Sequence, residues 1–366
     1  MLEFLTLKPE VFGLDISDLS LKIIKLKKKR GILGLASFGE AEIKPGIIEE
    51  GEIKDEEALA KIIGEAILKV KGEKLKTKYV ACSLPEEKAF LQVIQMPKMT
   101  DEELKKAVRF EAENYIPLPI EEVYLDFQQV LPLYNHLDHL DVLIAALSKK
   151  TVDPYVALLK KAGFIPWVLE IESQAISRAL VKNEVSPFPV LLIDLGATRT
   201  SFIIFSGYSL RFTSSIPSVS SQKFTEAISR SLKVDLAEAE KLKLKYGIKA
   251  DMKNKGKEIF EALIPALSYL VEKIKTHLSY YQTHVSHEHL SLDGKGVSKI
   301  FLCGGGANLQ GLSDFLSSEL KISVELGNPW INILPEPLKE VPRLSYEKSL
   351  SYTTALGLAL RGVREK

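Results

Sequence analysis

The sequence predicts an α/β fold: two related lobes carrying a small β-α-β-β insert. Three observations carry that expectation. Strand-like and helix-like segments alternate along the chain. A strand-turn-strand pattern ending in an aspartate occurs twice, about half a chain apart. The 366 residues exceed one typical domain, and their composition, 46% hydrophobic and 27% charged, suits a packed globular protein.

Taken in order, Val11–Ile16, Leu21–Leu26 and Ile32–Phe38 read as strands. Asp55–Val70 reads as a helix, because Leu59, Ile62, Ile63, Ala66, Ile67 and Val70 keep the 3.6-residue period. Tyr79–Leu84 is a buried strand. The segment from 85 to 148 changes texture: a strand at Phe90–Met96, then a helix opened by Thr100 with Glu103 in a capping-box spacing. Leu104, Ala107, Val108, Ala112 and Tyr115 form the stripe of that helix, Pro117 and Pro119 stop it, and strands follow at Val123–Val130 and Leu140–Leu147. A helix at Val152–Ala162 ends at Gly163.

Pro187 and Pro189 mark a boundary. Beyond them come strands at Val190–Asp194, Thr200–Phe205 and Tyr208–Thr213, the last two joined at Ser206-Gly207. Ser221–Leu232 reads as a helix, and Asp235 with Glu238 caps another that ends at Gly247. A long helix spans Glu258 to about Ser286. Lys299–Cys303 is a strand that runs into Gly304-Gly305-Gly306, and helices at Gln310–Leu320 and Ser351–Arg361 close the chain.

The expected organisation is a first lobe at 1–84 and 149–186 interrupted by an insert at 85–148. A second lobe follows at 187–234 and 298–366, with a small subdomain at 235–297. Lys and Arg total 49 against 48 Asp and Glu, so no global basic field is offered to nucleic acid. Cys82 and Cys303 make neither a disulfide framework nor a zinc spacing, and read as buried small hydrophobes. No apolar run approaches the roughly 18–20 residues that span a bilayer, so a soluble, cytoplasmic protein is expected.

The chemistry concentrates in the repeat. Val11-Phe12-Gly13-Leu14-Asp15-Ile16-Ser17 before Leu21–Leu26 matches Val190-Leu191-Leu192-Ile193-Asp194-Leu195-Gly196 before Thr200–Phe205. A turn of small residues lets backbone N–H groups approach a phosphate, and a strand-end carboxylate holds hydrated Mg²⁺. Two such turns facing one another would grip a nucleotide from both sides. Asp15 and Asp194 are then metal-side carboxylates, Thr198 and Thr200 hydroxyl donors, and Lys22 a neutralising cation. Gly304–Gly306, opening a helix, admit a base or sugar.

These residues resemble the actin-like ATPase superfamily. Gly13–Ser17 through Lys22 is similar to its first phosphate motif and Ile193–Thr200 to its second. Glu170–Ala175 through Leu180 resembles the first connecting helix, Phe301–Leu309 the adenosine motif and Tyr352–Gly362 the second connecting helix. The insert, with Met96–Thr100, Ala112–Pro117 and Asp126–Gln128, resembles the PilM family of type IV pilus assembly proteins, relatives of the cell-division protein FtsA. FtsA-like chains end in an amphipathic membrane helix, which is not found after Arg361 here.

The resemblance implies an actin-like (ribonuclease H-like) two-lobed ATPase fold, ATP or ADP with Mg²⁺ in the cleft, and weak hydrolysis at most. It implies Asp15 and Glu172 as catalytic residues, Glu172 orienting the attacking water. It also places Ser17, Lys22, Gly196, Thr198 and Thr200 at the phosphates, Gly304, Gly305 and Gly306 at the adenosine, and Glu240 and Lys243 at the base or ribose. The implied partner is a PilN-type inner-membrane protein, held by its cytoplasmic N-terminal peptide where the insert meets the first lobe. Tyr79–Leu84 and Phe90–Met96 are the apolar segments near that place. Self-association is a further expectation. The competing readings are a filament-forming or FtsA-like protein and a phosphotransferase on the same fold.

One departure stands out. Ser17 and Asp18 occupy positions where the family carries glycine and a small hydroxyl. Asp18 sets a carboxylate beside the expected phosphates, where like charge disfavours binding, unless it turns outward or joins the metal shell. Four other features read blandly. Lys25–Arg30 is a solvated strand end. His284, His287 and His289 mark a helix end, and His136 and His139 a loop. Ile331–Pro335 resembles the apolar motif of PilN-type tails by coincidence in a Pro-rich connection.

Overall fold

The computed structural model describes residues 9–29, 31–131, 138–248, 255–284, 296–335 and 341–364. The first lobe opens with β1 (Val11–Ile16), β2 (Ser20–Lys29) and β3 (Ile32–Glu42). A two-stranded ribbon, β4 (Ile48–Glu49) and β5 (Glu52–Ile53), leads into α1 (Glu56–Leu68), and β6 (Lys71–Gly72) and β7 (Tyr79–Leu84) follow. Asp55 caps α1 by accepting from Ala58 N at 2.9 Å. The insert comprises β8 (Ala89–Pro97), α2 (Asp101–Ala112), β9 (Val123–Val130) and β10 (His139–Ser148). Its sheet runs β8-β10-β9, and α2 covers one face through Leu104, Val108 and Ala112. The capping box read from Thr100 and Glu103 is present.

The chain returns to the first lobe with α3 (Lys149–Lys161), β11 (Ile165–Ile171) and α4 (Glu172–Leu180). The second lobe holds β12 (Ser186–Leu195), β13 (Thr200–Gly207), β14 (Ser209–Ile216), α5 (Ser221–Leu232), α6 (Leu236–Tyr246) and α7 (Lys255–His284). It closes with β15 (Lys299–Cys303), α8 (Leu312–Leu320), β16 (Ser323–Leu326), α9 (Tyr346–Leu350) and α10 (Thr353–Arg364).

The duplication is visible in the strand order. One sheet runs β11-β7-β1-β2-β3-β6, and the other, read from its far end, runs β16-β15-β12-β13-β14. In each, the aspartate-bearing strand lies between an antiparallel hairpin partner and a parallel neighbour. Asp15 stands opposite Lys22, and Asp194 opposite Ser201. β1 is buried along its whole length, which its apolar sequence requires.

α10 crosses β1 at unusually close range. A Cβ at Gly13 would lie 2.4 Å from Ala355 O, and one at Gly362 would lie 2.7 Å from Val11 Cβ. Gly13 in the first motif therefore serves helix–strand packing and not the loop that follows it. The two lobes have separate apolar cores, one around Phe12, Leu14 and Leu59, the other around Phe202, Phe224 and Leu267.

Five strands escaped the sequence reading: the two-residue β4, β5 and β6, and also β11 and β16. β11 carries Pro166 and alternates exposed with half-buried residues because it is the sheet edge. β16 is four residues long. His139 is not in a loop: it opens β10, with Nδ1 2.9 Å from Asp138 Oδ1. His136, His287 and His289 lie outside the described residues.

Candidate functional site

The strand ends of β1 and β12 bring Asp15 and Asp194 to one cavity of about 240 Å³. Asp15 is held from behind by β7. Ile16 N donates to Ser83 Oγ at 2.9 Å, and that hydroxyl donates to Asp15 Oδ1 at 3.1 Å. Ser83 therefore fixes the carboxylate, a role its place in an apolar strand gave no sign of.

The first loop turns tightly. Ser17 N and Ser17 Oγ both donate to Ser20 O, at 2.9 and 3.0 Å, and Lys22 Nζ donates to Ser20 Oγ at 2.9 Å. The Ser17 hydroxyl thus folds back into its own turn. The second loop is pinned by Gly196 N donating to Arg199 O at 3.0 Å, and by Ser221 N and Gln222 N donating to Gly196 O and Ala197 O at the start of α5. A Cβ at Gly196 would press on Arg199 O at 2.9 Å, so the turn itself requires glycine. The third loop approaches closest. Gly304 has φ +82°, and a Cβ there would stand 2.2 Å from Asp194 Oδ1.

Of the residues named from sequence, Asp15, Ser17, Lys22, Glu172, Asp194, Gly196, Thr198, Gly304 and Gly305 line this cavity. Four do not. Thr200 is buried and donates to Val219 O at 3.0 Å. Gly306 abuts the Leu195 side chain. Lys243, 4% exposed, donates to Ser221 Oγ at 2.9 Å and Thr225 Oγ1 at 2.8 Å, and pairs with Glu240 at 2.7 Å. Lys243 and Glu240 therefore tie α6 to the α5 N-terminus that anchors the second loop, supporting the cavity wall from outside.

Asp18 neither turns outward nor joins Asp15 and Asp194. It crosses the cleft. Its Oδ2 accepts from Thr198 Oγ1 at 3.1 Å and from Arg199 Nη2 at 3.0 Å, and its Oδ1 accepts from Gly51 N at 3.0 Å. Arg199 Nη1 also pairs with Glu87. Arg199, Glu87 and Gly51 all line the cavity, and no role was read for them in the sequence.

The carboxylates hold one another's ionisation back. Burial raises the Asp15 pKa against the pull of Lys22 and the Ser83 hydroxyl. Burial, then the charge of Asp15, pushes Asp194 up to about 6. Glu172 at the start of α4 is driven well above the carboxylate range by burial and then by Asp15, Glu87 and Asp194. Three crowded carboxyls with one lysine are the setting in which a divalent cation is most welcome. Among the described residues no group of three or more His, Cys, Asp and Glu forms a cage around a metal. That suits Mg²⁺, which keeps several waters and binds through one or two carboxylates with phosphate oxygens. The residues fit Mg-nucleotide: Asp15 and Asp194 would hold the metal, and Lys22, Thr198 and the loop amides the phosphates.

The remaining features are structural. Lys25 pairs with Glu10 at 2.6 Å and Lys27 with Glu73, so part of the basic run is neutralised. Both cysteines are buried, with thiols raised by burial. Ile331–Pro335 is not a presented loop: Ile333 is buried, and Asn332 Nδ2 donates to Arg178 O and Val181 O at 2.9 and 2.7 Å. Tyr79–Leu84 is interior to its sheet, between β1 and β11, and buried except at Tyr79. Among the described residues no helix is long and apolar enough to cross a membrane.

Comparison with known proteins fits this geometry. A structure titled as the PilM-PilN type IV pilus biogenesis complex superposes with a TM-score of 0.78 at 30% identity, covering 98% of this chain and 100% of that one. The ethanolamine utilization protein EutJ from Carboxydothermus hydrogenoformans matches at TM-score 0.55 and 15% identity, over 95% of this chain and 88% of that one. MreB5 of Spiroplasma citri bound to ADP matches at 0.54 and 13%, over 95% and 94%. The last two establish likeness of fold alone, and the fold is actin-like. The family described as type IV pilus assembly protein PilM matches residues 13–363, nearly the whole chain, and the chain belongs to that family.

Proposed function

We propose that this protein is a nucleotide-gated scaffold of type IV pilus assembly. It holds the cytoplasmic N-terminal tail of a PilN-type inner-membrane protein, and so works at the cytoplasmic face of that membrane through its partner. ATP with Mg²⁺ is the structural or switching ligand, and hydrolysis is weak at most.

The observation that carries the reading is the pairing of two aspartate-tipped loops on duplicated sheets around one cavity, in a chain of the PilM family. The 30% identity to the PilM protein of the PilM-PilN complex supports the choice of partner. Glu172, at the α4 N-terminus, has its pKa raised by burial and then by Asp15, Glu87 and Asp194, which weakens it as a partner for a water that must lose a proton. That favours a switching role over rapid turnover.

Isothermal calorimetry with Mg-ATP and with a synthetic PilN-type N-terminal peptide tests the reading. Nucleotide binding together with peptide binding is expected, each altered by the other. Peptide affinity absent both with and without ATP sinks the scaffold, and filaments that pellet with Mg-ATP in place of peptide binding favour the cytoskeletal alternative.

A further inference from the structure

Asp18 lies on the first loop, and two of the groups that donate to it lie on the second. Thr198 Oγ1 and Arg199 Nη2, donors of the loop read as a phosphate cradle, are both spent on Asp18 Oδ2. Arg199 Nη1 is spent on Glu87. Arg199 is 14% exposed and Asp18 11%, so water competes weakly for this pair. Asp18 is also held from a third side by Gly51 N, and Tyr155 Oη donates to Gly51 O at 3.0 Å. Gly51 sits at φ +75°, and a Cβ there would meet Pro85 at 2.5 Å. The carboxylate is therefore placed, not merely tolerated.

The charges give this placement a meaning. The ionisable acids and bases lining the cavity are Asp15, Asp18, Glu87, Glu172 and Asp194 against Lys22 and Arg199, five carboxyls to two cations. An incoming polyphosphate needs cations, and one of the two is already doubly engaged. A carboxylate and a phosphate use the same donors, a guanidinium fork and a hydroxyl. The cavity, at about 240 Å³, also falls below the roughly 300–1,000 Å³ of sites that hold a nucleotide-sized ligand.

We propose that Asp18 is an internal stand-in for a nucleotide phosphate, latching the two loops together through Thr198 and Arg199 until a phosphate displaces it. The proposal rests on the nucleotide reading and adds its regulation: nucleotide binding exchanges one anion for another on Arg199 and releases the first loop from the second. Arg199 then becomes the residue that distinguishes a phosphorylated ligand from a bare nucleoside.

The test is calorimetry of wild type, Asp18→Asn and Arg199→Gln with Mg-ATP and, separately, with adenosine. Asp18→Asn keeps an acceptor for Gly51 N but gives up its charge, and Mg-ATP is expected to bind about fivefold tighter. Arg199→Gln is expected to bind Mg-ATP about tenfold more weakly. Adenosine affinity stays unchanged in both, which a general loss of structure would not allow. If Asp18→Asn does not fold, Glu87→Gln frees the other side of Arg199 and moves Mg-ATP affinity in the same direction. Wild type that binds Mg-ATP only as well as, or better than, Asp18→Asn and Glu87→Gln overturns the latch and leaves the nucleotide site standing. Mg-ATP binding by Asp18→Asn but not by wild type supports it in its strongest form. Absence of Mg-ATP binding in every variant overturns the latch and the nucleotide reading together.

Discussion

Gly357 crosses Ala175 with no space for a side chain: a Cβ at Gly357 would stand 1.9 Å from Ala175 O. The contact joins α10 to α4, the helices that resemble the two connectors between the lobes. Gly357→Ala must push the helices apart, because the obstruction is backbone. A loss of about 3 kcal/mol or more is expected, read as a fall in the urea midpoint. Gly64 is the control. It lies inside α1 with open space around its would-be Cβ, so Gly64→Ala should leave stability equal or raise it by up to about 1 kcal/mol. Equal effects at the two sites would show that helix propensity, not the crossing, governs Gly357.

The same crossing carries a buried ion pair. Arg178 Nη1 donates to Glu170 Oε2 at 2.9 Å and to Gly357 O at 3.2 Å, with the Arg178 side chain 9% exposed and that of Glu170 2%. Removing Glu170 leaves the Arg178 charge with the longer contact of its Nε to the partly exposed Glu184, at 3.7 Å. Glu170→Gln should cost about 3 kcal/mol in chemical denaturation. A double Glu170→Gln/Arg178→Met protein should recover part of that loss, since Glu184, the other partner of Arg178, is 40% exposed and no buried lone charge remains. A double variant less stable than the sum of the singles would contradict this account of the pair.

What the sequence made legible was local. Asp15 and Asp194 declared themselves because each ends an apolar strand, and the repeat of that pattern carried the duplication. The capping box at Thr100 and Glu103 was legible for the same reason, since four residues contain all of it. The Asp18–Arg199 contact spans 181 positions, and nothing in either residue's neighbours foretells it. Lys243 and Glu240 sit in sequence like cleft residues, yet the burial of Lys243 against Ser221 and Thr225, and the bond from Thr225 to Glu240, depend on how α6 packs on α5. β11 was hidden by Pro166 and by the exposed Trp167, both ordinary on an edge strand and misleading to a period count.

His277 makes a contribution of definite sign to the pH dependence of stability. Its ring lies 4.6 Å from that of Phe202 and 5.4 Å from that of Phe212, and Nε2 is buried with no hydrogen-bond partner. Burial, and then the charge of Lys273, lowers its pKa from 6.5. The unfolded chain therefore takes up a proton that the folded one resists. The stability this residue contributes is complete above 6.5 and is lost as the pH falls toward the depressed folded value. The urea midpoint of wild type relative to His277→Phe should fall from about pH 8 to about pH 5, over a background in which the raised carboxyls Asp15, Glu172 and Asp194 act in the opposite sense. Parallel profiles of the two proteins would remove His277 from the pH dependence.

Asp194 offers the most direct test of the metal assignment. It faces Asp15 across the cavity, touches the space beside Gly304, and is raised to about 6 by burial and by the Asp15 charge. A cation held by Asp15 and Asp194 would relieve that repulsion, so Mg²⁺ should tighten nucleotide binding by way of Asp194. In Asp194→Ala the dependence of ATP affinity on Mg²⁺ should shrink by about tenfold, while adenosine, which brings no phosphate to share the metal, binds as before. The apo form of the variant should also be no less stable than wild type. The substitution deletes a buried acid that pays a desolvation penalty without a full partner, and only the small void left by the side chain opposes that gain. Mg-ATP affinity and Mg²⁺ dependence unchanged in Asp194→Ala would remove the metal from this carboxylate and leave Asp15 as the residue to examine.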